Sequence, residues 1–157
     1  MIVRPATFRD AAGMSRVLAE IMALWRSDRP TDPDHVLGFY IDHPDRVLCS
    51  VAADREDRLL GFQSLKQAGP ENPYDIEPGW GIIGTYVTQQ ATRRGVGSAL
   101  FSATTKAAER AALPKIDATI ASDNQQGLRY YEAIGFVTYR TTPGFICKVY
   151  DVAAATR

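Results

Sequence analysis

The strongest constraint on the fold comes from residues 81–121, which predict a strand, a helix and a second strand in succession. Residues 81–87 are an apolar run of strand length, and residues 115–121 are predicted to form a second strand. Between them, apolar residues recur at helical spacing from Gly95 until Pro114 ends the helix. Strands joined through a crossover helix lie parallel to each other. The sequence therefore predicts a parallel pair of strands within a mixed sheet.

The other segments complete the prediction of an α/β fold with a mixed sheet, in the order β-α-α-β-β-β-α-β-α-β-β. Thr7 and Asp10 form a variant of the capping box before one helix. Asp32 followed by Pro33 opens a second helix that runs to about residue 43. The remaining predicted elements are a hairpin at 47–53 and 59–65, a loop at 68–79, a helix at 124–134 and strands at 136–140 and 145–150.

Composition excludes several classes of protein. The length of 157 residues suits one domain, and a hydrophobic content of 45% is enough for a sizeable core. The 18 basic and 18 acidic residues balance, whereas nucleic acids and anionic membranes select for excess Lys and Arg. No apolar run approaches the ~20 residues of a membrane span, and early charges leave no room for a signal peptide. We therefore expect one cytoplasmic domain, residues 1–157, with no nucleic-acid or membrane partner.

The cysteines and histidines predict no metal site. Cys49 and Cys147 lie in apolar strand contexts, far apart in sequence, which is typical of buried thiols rather than of a zinc site or a disulfide scaffold. His35 and His43 lack the H-E-x-x-H spacing of zinc enzymes.

The turn before the predicted helix at Gly95 combines glycines with cations. A helix N-terminus presents unpaired N–H groups, and glycine allows a ligand to approach the backbone closely. Arg93, Arg94 and Gly97 belong to the same turn, which therefore predicts a pyrophosphate site. A P-loop would need Gly-Lys-Ser/Thr, and a Rossmann fingerprint would need a small residue at Leu100. A helix start that uses glycine only for turning stays open.

A second segment favours the ligand-binding interpretation. Gly127 and Tyr131 follow Asn124 by three and seven positions, so all three lie on one helix face. That face carries an amide, a gap without a side chain, and a phenol, where a core-facing stripe would carry Leu or Ile. The helix is closed by Gly135 and Phe136.

Together, residues 92–98 and 124–136 resemble the acetyl-CoA-binding motif and the following Asn…Tyr…Gly-Phe motif of the GNAT N-acetyltransferase superfamily. The element order also matches, and R-P-A-T near the start resembles the family's opening, so the resemblance covers essentially the whole chain. It points in particular to the phosphinothricin and amino-acid acetyltransferase-like branch. The family pattern, Gln/Arg-x-x-Gly-x-Gly/Ala, starts at Thr92 here, a departure that we expect the backbone N–H groups to tolerate.

The resemblance implies a GNAT-like fold whose parallel strands splay at the cofactor site, with acetyl-CoA as cosubstrate and no metal. It implies acetyl transfer to the primary amine of a small molecule, such as an amino acid, by direct attack. It also implies a homodimer paired through the C-terminal strands. The cofactor-binding residues that it assigns are Thr85, Tyr86, Val87, Arg93, Arg94, Gly95, Val96, Gly97, Ser98, Asn124 and Tyr131.

For the chemistry, the resemblance assigns Tyr131 as the general acid that protonates the departing thiolate. A phenol, with a pKa of about 10, stays neutral in an apolar site. A backbone N–H near Tyr86 is expected to bind the thioester oxygen. Tyr130 is expected to pack, and Asn124 either binds the pantetheine arm or caps its helix.

The general base is the least defined part of the predicted site. Relatives of the phosphinothricin type often carry Glu on the strand that enters the site, where this chain has Gly81, Ile82 and Ile83. Glu77 is the predicted base, with Asp75 and a line of waters as alternatives. The acceptor cleft is expected to draw on Trp25, Arg26, Asp28, Arg29, Asp34, His35, Phe39, Tyr74 and Trp80. Such a mixture suits a zwitterionic amine whose carboxylate meets an arginine.

Two other functions stay open on the sequence. Thr92 and the missing strand carboxylate fit a CoA-binding sensor or interaction domain without catalysis. A nucleotide-dependent oxidoreductase is the third possibility, and it predicts a preference for NAD(H) over CoA.

Overall fold

The computed structural model describes residues 1–155, so the last two residues of the predicted domain lie outside the described part. The strands are β1 (Ile2–Pro5), β2 (Arg46–Ala53), β3 (Leu59–Gln67), β4 (Gly81–Val87), β5 (Lys115–Ala121), β6 (Val137–Thr142) and β7 (Phe145–Asp151). The helices are α1 (Ala11–Leu24), α2 (Pro33–Val36), α3 (Val96–Arg110), α4 (Gln125–Ala133) and α5 (Val152–Ala155). The predicted element order and the mixed α/β class are confirmed.

The strands form one seven-stranded sheet in the order β1-β2-β3-β4-β5-β7-β6. Neighbouring strands are antiparallel except for the parallel pair β4 and β5, as the strand–helix–strand pattern predicts. β4 pairs with β3 along its whole length, but it pairs with β5 only at Gly81–Ile116 and Ile82–Asp117. The predicted splay is therefore present, and it opens immediately after Ile82.

Helices cover both faces of the sheet. On one face, α1 and α2 enclose a core that contains Met14, Tyr40, Phe62 and Tyr86. On the other face, the side chains of the central strands pack with α3 and α4, in clusters that include Ile83, Phe101, Ile116, Leu128 and Phe136. Side chains alternate across a strand, so each residue of β4 and β5 belongs to one of these two faces.

The second helix differs from its prediction. Regular α-helix ends at Val36, and a π-helical turn continues it over Leu37–Ile41. Bonding between residues five apart places Val36 and Ile41 on the same side of the turn, and both are buried against the core. The C-terminal helix α5 was not predicted, because four residues are too few to show a helical period.

The predicted capping pattern at the start of α1 anchors β1 as well. The guanidinium of Arg4 donates to both carboxylate oxygens of Asp10, at 2.8 and 2.9 Å, and the backbone N–H of Thr7 donates to the same group at 2.8 Å. These donors hold the pKa of Asp10 below its ordinary value, and the hydrogen bonds from Arg4 contribute most. The folded state therefore favours the charged carboxylate.

This contact makes the free energy of unfolding depend on pH in the acidic range. Because the folded-state pKa of Asp10 is lowered, its contribution is complete above the ordinary Asp pKa of about 4 and is lost as the pH falls toward the folded value. We expect Asp10→Asn to lower the free energy of unfolding by about 2 kcal/mol at neutral pH and to flatten the acid decline. Urea unfolding between pH 7 and pH 2 measures both effects. Asp45→Asn, at an exposed carboxylate, is the control, and an acid decline unchanged in Asp10→Asn would contradict the assignment.

Candidate active site

The gap between β4 and β5 exposes a strand edge to ligands. The N–H of Thr88 donates to the carbonyl of Leu60 at 2.9 Å, so alternate residues of β4, including Tyr86, direct their backbone groups to β3. Thr85 and Val87 consequently direct their N–H and C=O groups into the gap. An extended, amide-bearing ligand can add there as a strand.

This alternation also determines which N–H groups near Tyr86 are free to bind a ligand. The N–H of Tyr86 faces Phe62 in the ladder and is used within the sheet. The N–H groups near Tyr86 that do face the gap are those of Thr85 and Val87, and the oxyanion donor stays a prediction for these two. Sequence could not decide this, because which edge a given N–H faces depends on the register with β3.

The N-terminus of α3 follows β4 through a single 3-10 turn, Gln89–Ala91. No side chain among the described residues caps α3, its first turn holds no acid, and its first backbone bond runs from Ala99 to Gly95 at 3.0 Å. The N–H groups of Val96, Gly97 and Ser98 consequently have no partner among residues 1–155. The exposed side chains of Arg93 and Arg94 add positive charge beside them. This arrangement suits a phosphate group.

Glycine is required at two positions of this turn, for a different structural reason at each. Gly95 has a φ of 80°, a left-handed conformation that other residues adopt only with strain. At Gly97, a methyl group would overlap Cε1 of Tyr130, so the ring occupies the space that a side chain would need. Thr92, the departure from the family pattern, donates through Oγ1 to the carbonyl of Gln89 at 2.8 Å and closes the turn locally.

A buried hydrogen-bond network connects this turn to the gap. The fully buried amide of Gln63 donates to Oγ1 of Thr85 at 2.9 Å and to the hydroxyl of Tyr130 at 3.0 Å. Its carbonyl accepts from Thr104 at 2.5 Å, and Tyr130 in turn donates to the carbonyl of Gly97 at 2.8 Å. Tyr130 therefore does more than pack, which corrects its expected role. Gln63 was not among the predicted site residues, and its one signal in the sequence is that it is a lone amide inside an apolar strand.

The hydroxyl of Tyr131 lies 2.9 Å from Oγ1 of Thr85, directly at the gap. The ring is buried, and burial raises the pKa of this phenol above its ordinary value; the adjacent phenol of Tyr130, wherever it is ionised, acts in the same direction. Tyr131 is therefore a neutral proton donor at neutral pH. Its hydroxyl lies beside the edge of β4 at the gap, and its role as general acid stays a prediction.

Asn124 caps α4. Its Oδ1 accepts from the N–H of Gly127 at 3.0 Å, and a methyl group on Gly127 would lie 2.5 Å from its Nδ2. The gap expected at Gly127 is therefore filled by the capping amide itself. Nδ2 of Asn124 has no partner among residues 1–155, so a role in binding the pantetheine arm stays a prediction.

Opposite Tyr131, aromatic side chains and an arginine line the α1–α2 face of the gap. The hydroxyl of Tyr86 lies 3.3 Å from the Tyr40 hydroxyl and accepts from Arg29 at 3.3 Å. The ring of Trp25 lies 6.1 Å from that of Tyr86. Of the predicted cleft residues, His35 and Phe39 instead stack on each other at 5.0 Å, and Arg26, Asp28 and Asp34 are exposed without a contact to Tyr86.

The loop 68–79 is held in place by its own side chains and by β6. The amide of Asn72 bonds both the N–H and the carbonyl of the buried Ile76, at 3.0 and 2.7 Å. Arg140 donates to the carbonyl and the carboxylate of Asp75, at 2.9 and 3.3 Å. Glu77 is exposed, and its carboxylate bonds to no described residue, so its role as base stays a prediction.

The thiols, the candidate metal ligands and the lengths of the helices bear on the remaining sequence predictions. Cys49 and Cys147 are buried free thiols, as predicted. Across residues 1–155, no group of His, Cys, Asp and Glu side chains has the arrangement of a metal site. In the same range, none of the helices combines the length and apolarity needed to cross a membrane.

The chain matches one protein-family model and is similar in fold to several solved structures. Residues 14–136 match the model of the family described as acetyltransferase (GNAT). No curated protein sequence matches the chain significantly. Two similar solved structures hold a ligand. The protein yncA of Salmonella typhimurium, with its cofactor acetyl-CoA, is 18% identical, with a TM-score of 0.77 over 96% of this chain and 93% of that one. The PaiA N-acetyltransferase of Thermoplasma acidophilum, in complex with coenzyme A, is 16% identical, with a TM-score of 0.78 over 96% and 98%.

A third similar structure concerns the predicted branch. It is provisionally described as a phosphinothricin N-acetyltransferase and is 19% identical, with a TM-score of 0.73 over 94% of both chains. At sequence identities this low, the structural similarity shows a shared fold.

Proposed function

This chain belongs to the GNAT acetyltransferase family, and on that premise we propose that it transfers the acetyl group of acetyl-CoA to the primary amine of a small molecule by direct attack. The observation that carries this proposal is that the free edge of Thr85 and Val87 is followed, after one 3-10 turn, by the uncapped start of α3. The edge offers strand-like hydrogen bonds, and the start of α3 offers an anion site. Acetyl-CoA has a group for each: the amides of its pantetheine arm match the strand edge, and its pyrophosphate matches the anion site.

Each of these two features has a role in the proposed reaction. The N–H groups of Val96, Gly97 and Ser98, with Arg93 and Arg94, bind the pyrophosphate. The edge of Thr85 and Val87 binds the pantetheine amides, and one of its N–H groups polarises the thioester carbonyl, where negative charge develops during attack.

The reaction forms a C–N bond and breaks a C–S bond. The amine nitrogen attacks the thioester carbon from the α1–α2 face, and Tyr131 donates its proton to the departing sulfur from the other side. The tetrahedral adduct releases a proton from nitrogen, which restores the Tyr131 phenol. Glu77 is the base that the sequence proposes for the first deprotonation of the amine.

The acceptor that this cleft favours is an amine that also bears a carboxylate. Arg29 lies on the aromatic wall formed by Tyr86 and Tyr40, where it can pair with a carboxylate through two hydrogen bonds. An amino acid or a related zwitterion fits that chemistry. Action in the cytoplasm and pairing of two copies through the C-terminal strands stay predictions.

Replacing Arg29 tests the acceptor class. We expect Arg29→Gln to raise KM about tenfold for L-amino acids and to leave KM unchanged for the amines that result from their decarboxylation, because only the former have a carboxylate. L-Phenylalanine with phenethylamine and L-tyrosine with tyramine are suitable pairs. Arg26→Gln, at an exposed arginine without contact to the aromatic wall, is the control. An equal rise for both members of a pair would contradict a carboxylate site.

The proposed activity itself is tested by thiol release from acetyl-CoA over a panel of amino acids, alkylamines and polyamines, together with thermal shifts on ligand binding. We expect turnover with at least one amine, and stabilisation by acetyl-CoA but not by NADH. Stabilisation by acetyl-CoA without any turnover would favour the non-catalytic CoA-binding domain. A preference for NADH would favour an oxidoreductase.

A further inference from the structure

A buried carboxylate lies where β4 and β5 separate. Asp117 belongs to the last residue pair that joins the two strands, and its side chain is fully buried. Its neighbours Ile116 and Ala118 pack in the core on the α3–α4 face. Because side chains alternate along a strand, Asp117 faces the opposite side, from which the acceptor amine enters.

This carboxylate has only neutral hydrogen-bond donors among the described residues. The hydroxyl of Tyr139 donates to Oδ2 at 2.5 Å, and the hydroxyl of Thr119 donates to Oδ1 at 2.7 Å. No ion pair to Asp117 occurs within residues 1–155. Burying a carboxylate without a cation is unfavourable for folding, and such groups concentrate at functional sites.

Tyr139 connects the buried carboxylate to the surface. A bulge between Thr138 and Arg140 interrupts the pairing of β6 with β7 at this residue. The Tyr139 side chain is partly exposed, its ring lies 5.5 Å from that of Trp80, and its hydroxyl reaches inward to Asp117. The phenol therefore bridges the acceptor side and the buried carboxylate.

We infer that Asp117, acting through the hydroxyl of Tyr139, is the proton acceptor that converts the incoming ammonium group to a free amine. The ammonium gives a proton to the Tyr139 oxygen while the Tyr139 proton passes to Oδ2 of Asp117. The products are a neutral amine, an unchanged phenol and a neutral carboxylic acid. The acid returns its proton to solvent by the reverse path. This inference rests on the proposed function and replaces Glu77 as the base.

The surroundings of Asp117 support this assignment. Burial raises the pKa of Asp117, which brings a carboxyl group closer to the strength needed to deprotonate an amine. The groups that face it are Thr119 on its own strand, Tyr139 and Arg140 on β6, and Cys147 on β7. Tyr131 of α4 lies on the other face of the sheet and is affected by the charge of Asp117 only through space. The guanidinium of Arg140 is bound to Asp75 and stays charged.

The test compares two acceptors of similar size but different basicity. Ethylamine is charged at neutral pH, whereas trifluoroethylamine is largely neutral and has no need of this proton acceptor. For Asp117→Asn and for Tyr139→Phe, we expect kcat/KM to fall at least tenfold more with ethylamine than with trifluoroethylamine. Tyr150→Phe, on the adjacent β7, removes a hydroxyl without a hydrogen-bond partner among the described residues and is the matched control. If Asp117→Asn does not fold, Tyr139→Phe decides the question.

An equal loss with both amines would mean that Asp117 and Tyr139 are only structural, and would overturn the inference. A selective loss in Glu77→Gln alone would also overturn it. If wild type accepts only a larger amine from the panel, kcat/KM is measured against pH with that amine. The acidic limb is then expected to move to higher pH in Asp117→Asn, and an unmoved limb would overturn the inference. Absence of turnover with every amine, despite acetyl-CoA binding, would overturn the proposed function itself.

Discussion

Tyr131→Phe is expected to lower kcat about 10²-fold and to leave the affinity for acetyl-CoA within a few fold of wild type. The substitution keeps the ring, which is buried against Phe136 at 5.1 Å, and removes only the hydroxyl at Thr85. Thr85 still accepts from Gln63, so no buried hydroxyl is left without a partner. The leaving thiolate loses its proton donor, whereas the phosphate turn and the strand edge are unchanged. Stopped-flow measurement of thiol release at saturating substrates gives kcat, and calorimetry gives the affinity.

Tyr130→Phe is the matched comparison, because the two phenols are adjacent and differ in what they contact. The Tyr130 hydroxyl bonds Gln63 and the carbonyl of Gly97, so its removal is expected to weaken acetyl-CoA binding rather than to slow turnover at saturation. If Tyr130→Phe is the slow variant instead, Tyr130 is the phenol that protonates the departing sulfur. If neither is slow, water protonates the sulfur and the general-acid assignment is wrong.

The sheet and its helices could be predicted because their signals are local. The predicted strand from Lys115 to Ala121 is bounded by Pro114 on one side and polar residues on the other, and β5 has those limits. The splay came from the resemblance and not from local pattern. Pairing of β4 with β5 stops after Ile82 through the tertiary arrangement of the two strands, and no residue in the sequence marks that point.

The site residues that sequence analysis missed are those defined by long-range contacts. Gln63 and Tyr130 are 67 positions apart and meet only when α4 packs on the sheet. Asp117 and Tyr139 meet through strand order, since β7 lies between β5 and β6. Polar residues inside apolar strands, such as Gln63 and Asp117, are the one sequence signal that both share, because burial requires a partner for each.

The packing role of Gly97 predicts a second large effect. Gly97→Ala is expected to lower the free energy of unfolding by about 1–3 kcal/mol, because the new methyl group would overlap the Tyr130 ring. Separation of α3 from α4 also displaces the N–H groups of the phosphate turn. We therefore expect the Kd for acetyl-CoA to rise at least about tenfold. Urea unfolding and calorimetry measure the two quantities on the same samples.

Combining substitutions distinguishes packing from ligand approach as the reason for this glycine. Tyr130→Leu removes the ring atoms that the new methyl group would overlap, so Gly97→Ala is expected to be less destabilising in that background, with a coupling of about 1 kcal/mol. Gly95→Ala has open space but a left-handed φ, so its expected loss of about 1–2 kcal/mol is the same in both backgrounds. Gly38→Ala, in open space at an ordinary φ, is the control for glycine replacement itself. Strictly additive effects of Gly97→Ala and Tyr130→Leu would mean that the ligand, and not the phenol ring, requires glycine at position 97.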